Sequence, residues 1–228
     1  MAQGKKYTDA TRSYDVEHMH SIEDAVNLIG TFPKRNYDET VDMVMRLGVD
    51  PRKADEMIRS TVSLPAGTGK AVRVAVFAQG EAAQAARDAG AEFVGAEDLA
   101  AEVEGGMLDF DVTIAAPDMM PIVGKLGRVL GPRSLMPNPK TGTVTPDVAK
   151  AVGEFKGGKV EFRTDKFANV HVPVGKVSFS PEDLTSNINA VLEEIKRLRP
   201  AGAKGQYIKK ANISSTMGPG IKLDVGAL

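Results

Sequence analysis

Few side chains in this sequence are of a type that does chemistry. Three histidines, His18, His20 and His171, are the groups suited to proton exchange near neutral pH or to metal ligation, and there is no cysteine. His18 and His20 stand one residue apart and His171 lies far along the chain, with no His-Glu-x-x-His run or carboxylate loop to complete a metal site. No grouping of Ser, His and acid marks a nucleophile. Gly67-Thr68-Gly69-Lys70 has the end of a phosphate-binding loop. Leu64, however, stands at the earlier glycine position, Ala71 stands where Ser or Thr is needed, and the segment precedes its strand. Ala78-Gln79-Gly80-Glu81-Ala82-Ala83 offers one glycine where a dinucleotide fingerprint needs three. The sequence therefore predicts no catalytic constellation, no metal and no cofactor.

Three segments are more informative. They are Arg35-Asn36-Tyr37-Asp38-Glu39-Thr40, the Gly- and Pro-rich stretch from Lys125 to Lys140, and Ser214-Ser215-Thr216-Met217-Gly218-Pro219. The net charge is −1 and the pI about 6.3, which argues against coating nucleic acid by charge alone. The balance is uneven, since Met119–Pro146 holds Lys125, Arg128, Arg133 and Lys140 and no acid. A near-neutral total can thus conceal basic faces, the alternative being that such a run is ordinary solvated surface.

These segments need elements to hold them. Ser21–Ile29 reads as a capped helix, with Ser21 and Asp24 at its start and Ile22, Ala25, Val26 and Ile29 on one face. Tyr37–Leu47 alternates like a strand, Asp50-Pro51 starts a short helix ending near Ile58, and Arg59–Leu64 is strand-like. From Val72 short apolar strands (Val72–Ala78, Phe93-Val94, Phe110–Ala115) alternate with helices at Glu81–Ala89, Ala96–Glu104, Met119–Leu130 and Asp147–Phe155. That alternation signals a parallel sheet with helices on both faces. Strands return at Val160–Arg163, Asn169–Val174 and Lys176–Phe179. A helix follows from Ser180-Pro181, with Leu184, Ile188, Val191, Leu192 and Ile195 in register, and then strands at Tyr207–Ser215 and Ile221–Val225. The outer segments have too few elements to stand alone. The expected fold is α/β: a split α+β sandwich from 1–66 plus 160–228, with a Rossmann-like three-layer α/β/α domain, 67–159, inserted through connections near 65–69 and 157–159 that are hinge candidates, a rigid two-lobed protein being the alternative. Met1–Asp9 has no apolar leader segment and no run reaches the roughly 18 apolar residues of a membrane span, so the expected compartment is the cytoplasm, without membrane contact.

The ordered series Leu47-Gly48-Val49-Asp50-Pro51-Arg52, Lys125–Lys140, Gly158–Arg163, Val174-Gly175-Lys176 and Thr216–Pro219 resembles the bacterial side-stalk protein family of the large ribosomal subunit, the L-one family. The resemblance spans nearly the whole chain. It implies a non-enzymatic constituent of the large ribosomal subunit, a monomer when free, that binds the stalk of 23S rRNA. It further implies contact with exit-site tRNA during its release, and repression of its own operon through the operon mRNA. Carried over by position, the implied rRNA- and mRNA-binding residues are Arg35, Asn36, Tyr37, Thr40, Asp42, Lys166, Ser214, Thr216, Met217 and Gly218. A secondary RNA contact would come from Lys125, Arg128, Arg133 and Lys140. In this picture the Thr216 hydroxyl and the backbone at Gly218 bond the sugar–phosphate edge, and Met217 lies on a base or ribose. The family has Lys-Phe where this chain has Asn36-Tyr37, so one cation is missing, with Arg35 beside it. Two rival functions are an enzyme built on the middle domain, which lacks its glycine and acidic fingerprints, and a repressor acting off the ribosome.

Overall fold

A computed structural model describes residues 4–33, 35–53 and 55–226. In chain order the helices are α1 (Lys5–Arg12), α2 (Ile22–Thr31), α3 (Gly80–Asp88), α4 (Glu97–Glu104), α5 (Met120–Lys125), α6 (Gly127–Leu130), α7 (Val148–Lys156) and α8 (Pro181–Arg197). The strands are β1 (Thr40–Leu47), β2 (Arg59–Ser63), β3 (Val74–Phe77), β4 (Phe93–Gly95), β5 (Val112–Ala115), β6 (Lys159–Arg163), β7 (Asn169–Lys176), β8 (Ile208–Ser215) and β9 (Ile221–Leu223). Two compact units form, one from residues within 1–69 and 160–228, the other from 70–159. No helix among the described residues is long and apolar enough to cross a membrane.

The first unit is built on a four-stranded sheet in the order β7-β1-β8-β9, with antiparallel neighbours. Strand alternation decides which face is covered. Val41, Met43, Met45 and Leu47 are buried, as are Val170, Val172 and Val174 on β7 and Ala211 and Ile213 on β8. These pack with Val26 and Ile29 of α2 and with Leu184, Ile188, Val191, Leu192 and Ile195 of α8. Each such side chain contributes roughly 1.5–3 kcal/mol on full burial, so a one-residue slip of β1 would expose four of them and is strongly disfavoured. Both helices begin on a serine. Ser21 Oγ accepts from the Asp24 N–H at 3.1 Å, and Ser180 Oγ from the Asp183 N–H at 3.1 Å. β2 and β6 form a separate two-stranded sheet. Gly175, in the left-handed region at φ 153°, lies where a Cβ would come within 2.9 Å of both Leu184 and Phe179, so the β7–α8 contact requires glycine.

The second unit has a three-stranded parallel sheet, β4-β3-β5, with Val76 opposite both Val94 and Ile114. All four residues of β3 are fully buried, as a central parallel strand requires. α3 packs on α7, and α4 on α5.

Four sequence expectations are corrected here. The first strand starts at Thr40, not Tyr37. The Asp38 carboxylate leaves the ladder to accept from Ser178 N (3.1 Å) and Ser178 Oγ (2.7 Å), while Glu39 turns inward. No helix lies among the described residues of 51–58. Asp50 caps a turn through Arg52 N (3.1 Å), and Glu56 accepts from Asp50 N (2.7 Å) and Lys53 Nζ (2.8 Å), a closed side-chain network that competes with helix formation. Lys176–Phe179 is no separate strand. β7 runs on to Lys176 and Phe179 N turns back to the Lys176 carbonyl at 3.0 Å. The helix expected over Met119–Leu130 is divided at Leu126 into α5 and α6, after a 3-10 turn at Pro117–Met119.

Candidate nucleic-acid interface

Helices cover one face of the four-stranded sheet, and the other is lined by partly or fully exposed polar side chains. Thr40, Asp42, Val44 and Arg46 point outward from β1; His171, Pro173 and Asn169 stand opposite them on β7, and Lys210, Asn212 and Ser214 on β8. Asp42 is directly paired with Ser214 and Val44 with Asn212. Burial on this face pushes the Asp42 carboxyl above its ordinary range, an effect only partly opposed by His171 and Lys176.

At the end of this face where β1 begins, two irregular segments are fastened together. Thr216 extends the ladder, its N–H donating to the Thr40 carbonyl at 3.0 Å. The Thr216 hydroxyl accepts from Thr40 N at 3.1 Å and donates to the Thr40 carbonyl at 3.2 Å. Beneath the turn lies Glu39, only 7% exposed. One of its oxygens accepts from Ser215 Oγ (2.8 Å) and from Met217 N (2.9 Å), while the other faces Arg35 Nε at 3.6 Å. Arg35 Nη2 also donates to the Met217 carbonyl at 3.5 Å, and Lys176 Nζ donates to Thr40 Oγ1 at 2.9 Å. A Cβ at Gly218 would sit 2.5 Å from Ser215 Oγ, so a side chain there would push that hydroxyl off the Glu39 carboxylate. The outcome is a braced rim from which Met217 and Tyr37 project, 51% and 54% exposed, beside a cavity of about 320 Å³ lined by Phe32, Arg35, Tyr37, Glu39, Ser178 and Ser215. Two apolar groups on a hydrogen-bonded polar face suit stacking on bases and riboses more than catalysis.

The model of the ribosomal protein L1p/L10e family matches residues 29–219. The chain belongs to this family. It is 58% identical over 224 residues to the large ribosomal subunit protein uL1 of Cutibacterium acnes, covering 98% of this chain and 97% of that protein. It is 56% identical over 225 residues to that of Fervidobacterium nodosum, covering 98% and 96%. With that of Clavibacter sepedonicus the identity is 54% over the full length of both.

In this L1p/L10e family member, Arg35, Asn36, Tyr37, Thr40, Asp42, Ser214, Thr216, Met217 and Gly218 come together at one end of the sheet. Lys166 does not join them. It lies in the β6–β7 connection, beyond the opposite end of β1, where Arg46 pairs with Asn169. Lys125, Arg128, Arg133 and Lys140 are all exposed in the second unit. Their segment is held by buried Thr141 and Thr143, whose hydroxyls donate to the Asn138 carbonyl at 3.0 and 3.1 Å. The Thr216 hydroxyl, expected to bond RNA, donates to the Thr40 carbonyl and accepts from Thr40 N, which leaves it one lone pair for a ligand. Sequence reasoning missed Glu39, which by strand alternation shares the apolar side with Val41, Met43 and Met45, and Lys176. It also missed the outward row Arg46, Lys210 and Asn212, which strand alternation would have revealed once the pairing partners were known.

Proposed function

We propose that this chain is a non-enzymatic constituent of the large ribosomal subunit that grips the stalk of 23S rRNA with the open face of its first unit. Membership of a ribosomal protein family supports the ribosomal role, and uL1 relatives are by name proteins of the large subunit. The observation that carries the RNA surface is the braced rim: exposed Met217, whose backbone is held by a buried carboxylate, beside exposed Tyr37 at the edge of a polar sheet face. Few direct cations sit there, so affinity rests on shape, stacking and backbone contacts, in keeping with a net charge of −1. The rim residues carry the main rRNA contact, and Lys125, Arg128, Arg133 and Lys140 make a secondary one. The first unit acts as a split RNA-binding domain. The second is a Rossmann-like body that moves on connections near 65–69 and 157–159 and meets exit-site tRNA during its release. The same open face, presented with a stalk-like fold in the operon mRNA, represses the operon. The working compartment is the cytoplasmic ribosome.

The deciding experiment is titration of a stalk rRNA fragment with the full chain at several salt concentrations. Met217→Ala should weaken binding about tenfold, as expected for losing one stacked contact, and the loss should persist at high salt. Lys150→Ala, at an exposed cation in α7 outside the proposed RNA-contact residues, should cost far less, and its effect should fade with salt. Normal binding by Met217→Ala would place the RNA surface elsewhere.

A further inference from the structure

The connection between β6 and β7 carries Phe167, 65% exposed and the most exposed large apolar side chain among the described residues. The backbone under it is fixed. Asp165 Oδ1 accepts from Phe167 N and Asn169 N, both at 2.8 Å, and Asp165 Oδ2 accepts from Asn169 Nδ2 at 3.0 Å. Asp165 N donates to the Asn169 carbonyl at 2.8 Å, and the Ala168 carbonyl accepts from Leu47 N at 2.8 Å, which ties the connection to β1. Ala168 turns the chain at φ 63°, a conformation unfavourable for alanine that this network holds in place. An aromatic ring displayed in water on so determined a support is a presented surface, not a loose end.

Its surroundings are cationic. Lys166 Nζ stands 5.2 Å from the ring centroid. Arg46 pairs with Asn169 on one side and with Lys210 on the other, and all three cations are exposed. Among the described residues none of Lys166, Arg46 and Lys210 has a carboxylate partner within salt-bridge distance, and the neighbouring Asp165 is committed to the turn. A flat apolar ring with Lys166 against it, and Arg46 and Lys210 exposed on the adjoining strands, matches a nucleotide, whose base offers a π-face and whose phosphate offers charge. A protein partner's apolar side chain would leave those cations unanswered. The ring is also separate from the rim at Met217, because Thr40 and Arg46 lie six residues apart, roughly 20 Å along a strand.

We infer that Phe167 is a stacking platform for an unpaired base of the bound RNA, with Lys166, Arg46 and Lys210 taking the adjoining phosphates. The inference rests on the RNA-binding reading above and adds a second contact to it. The chain has no tryptophan, so Phe167→Trp introduces a single reporter. In titrations of the full chain with the stalk rRNA fragment, Phe167→Trp should bind like the unsubstituted chain and its emission should be quenched at saturation. Phe167→Ala and Phe167→Leu should each bind about tenfold more weakly, because neither offers a π-face. Their melting temperatures should match the parent's, since the ring lies outside the core. Equal affinity of the Ala and parent chains, with Trp emission unchanged at saturation, overturns the platform. If Met217→Ala still loses affinity in that case, the RNA reading stands and only the platform falls. No RNA binding by the parent chain overturns both.

Discussion

Glu39 shows how one residue can matter without touching the ligand. Its carboxylate is buried and satisfied by Ser215 Oγ, Met217 N and the nearby Arg35 guanidinium, so it sets where the Met217 side chain points. Glu39→Ala leaves the buried Ser215 hydroxyl and the part-buried Met217 N–H without an acceptor, at about 1–3 kcal/mol each at most. The expected result is a loss of about 2–4 kcal/mol of folding stability, with weaker RNA binding even at temperatures where circular dichroism shows the variant folded. Glu39→Gln keeps one acceptor oxygen and should lose much less of both. Equal RNA affinity for folded Ala and Gln variants would show that the turn needs no carboxylate brace.

At the scale of elements, α8 does more than cover the sheet. Its apolar stripe is interrupted by Asn187, fully buried on the same face as Leu184 and Ile188. Asn187 Nδ2 donates to the carbonyls of Val174 (2.8 Å) and Gly67 (3.0 Å), and its Oδ1 accepts from Ala66 N (3.0 Å). One amide therefore fastens β7 and the 66–67 segment to the helix. Asn187→Leu would suit the helical period yet strand three backbone groups, so urea unfolding should show a loss of roughly 2–4 kcal/mol. Hydrogen exchange should also speed up at Ala66 and Gly67. A stability equal to the parent's would mean that water replaces the amide at no cost.

The whole molecule consists of two units with separate cores, and their acid sensitivity has an identifiable source in the second. Burial tends to raise the Asp111 carboxyl, but hydrogen bonds from Lys70 Nζ and from the backbone and side chain of Arg73 outweigh it and hold the value at about 2. The folded value lies below the ordinary 3.8, so the carboxylate stabilises the fold at pH above about 4, and that contribution drains away as pH falls through about 2. The cations are largely exposed, and screening limits the gain to about 1 kcal/mol. Asp111→Asn should lower the urea midpoint at pH 7, with the gap to the parent closing as pH approaches 2. A gap independent of pH would assign the effect to packing instead of charge.

The sequence alone determined the family, the absence of nucleotide fingerprints, the alternation of strands and helices in the middle segment, and the capped helices starting after Ser21 and Ser180. Each depends on short-range patterns: a cap within one turn, a period of two or 3.6, a motif in contiguous residues. Tertiary structure decided what depends on partners distant in the chain. Tyr37 leaves the strand because Asp38 bonds Ser178, 140 residues away, and Glu39 becomes a brace because Ser215 and Met217 lie above it. Thr216 turns its hydroxyl to Thr40, 176 residues away, and Asn187 is buried because backbone from two other segments meets it. Polar side chains near the rim are ambiguous in sequence because the same oxygen can serve a ligand or a distant backbone group, and only the fold assigns the partner.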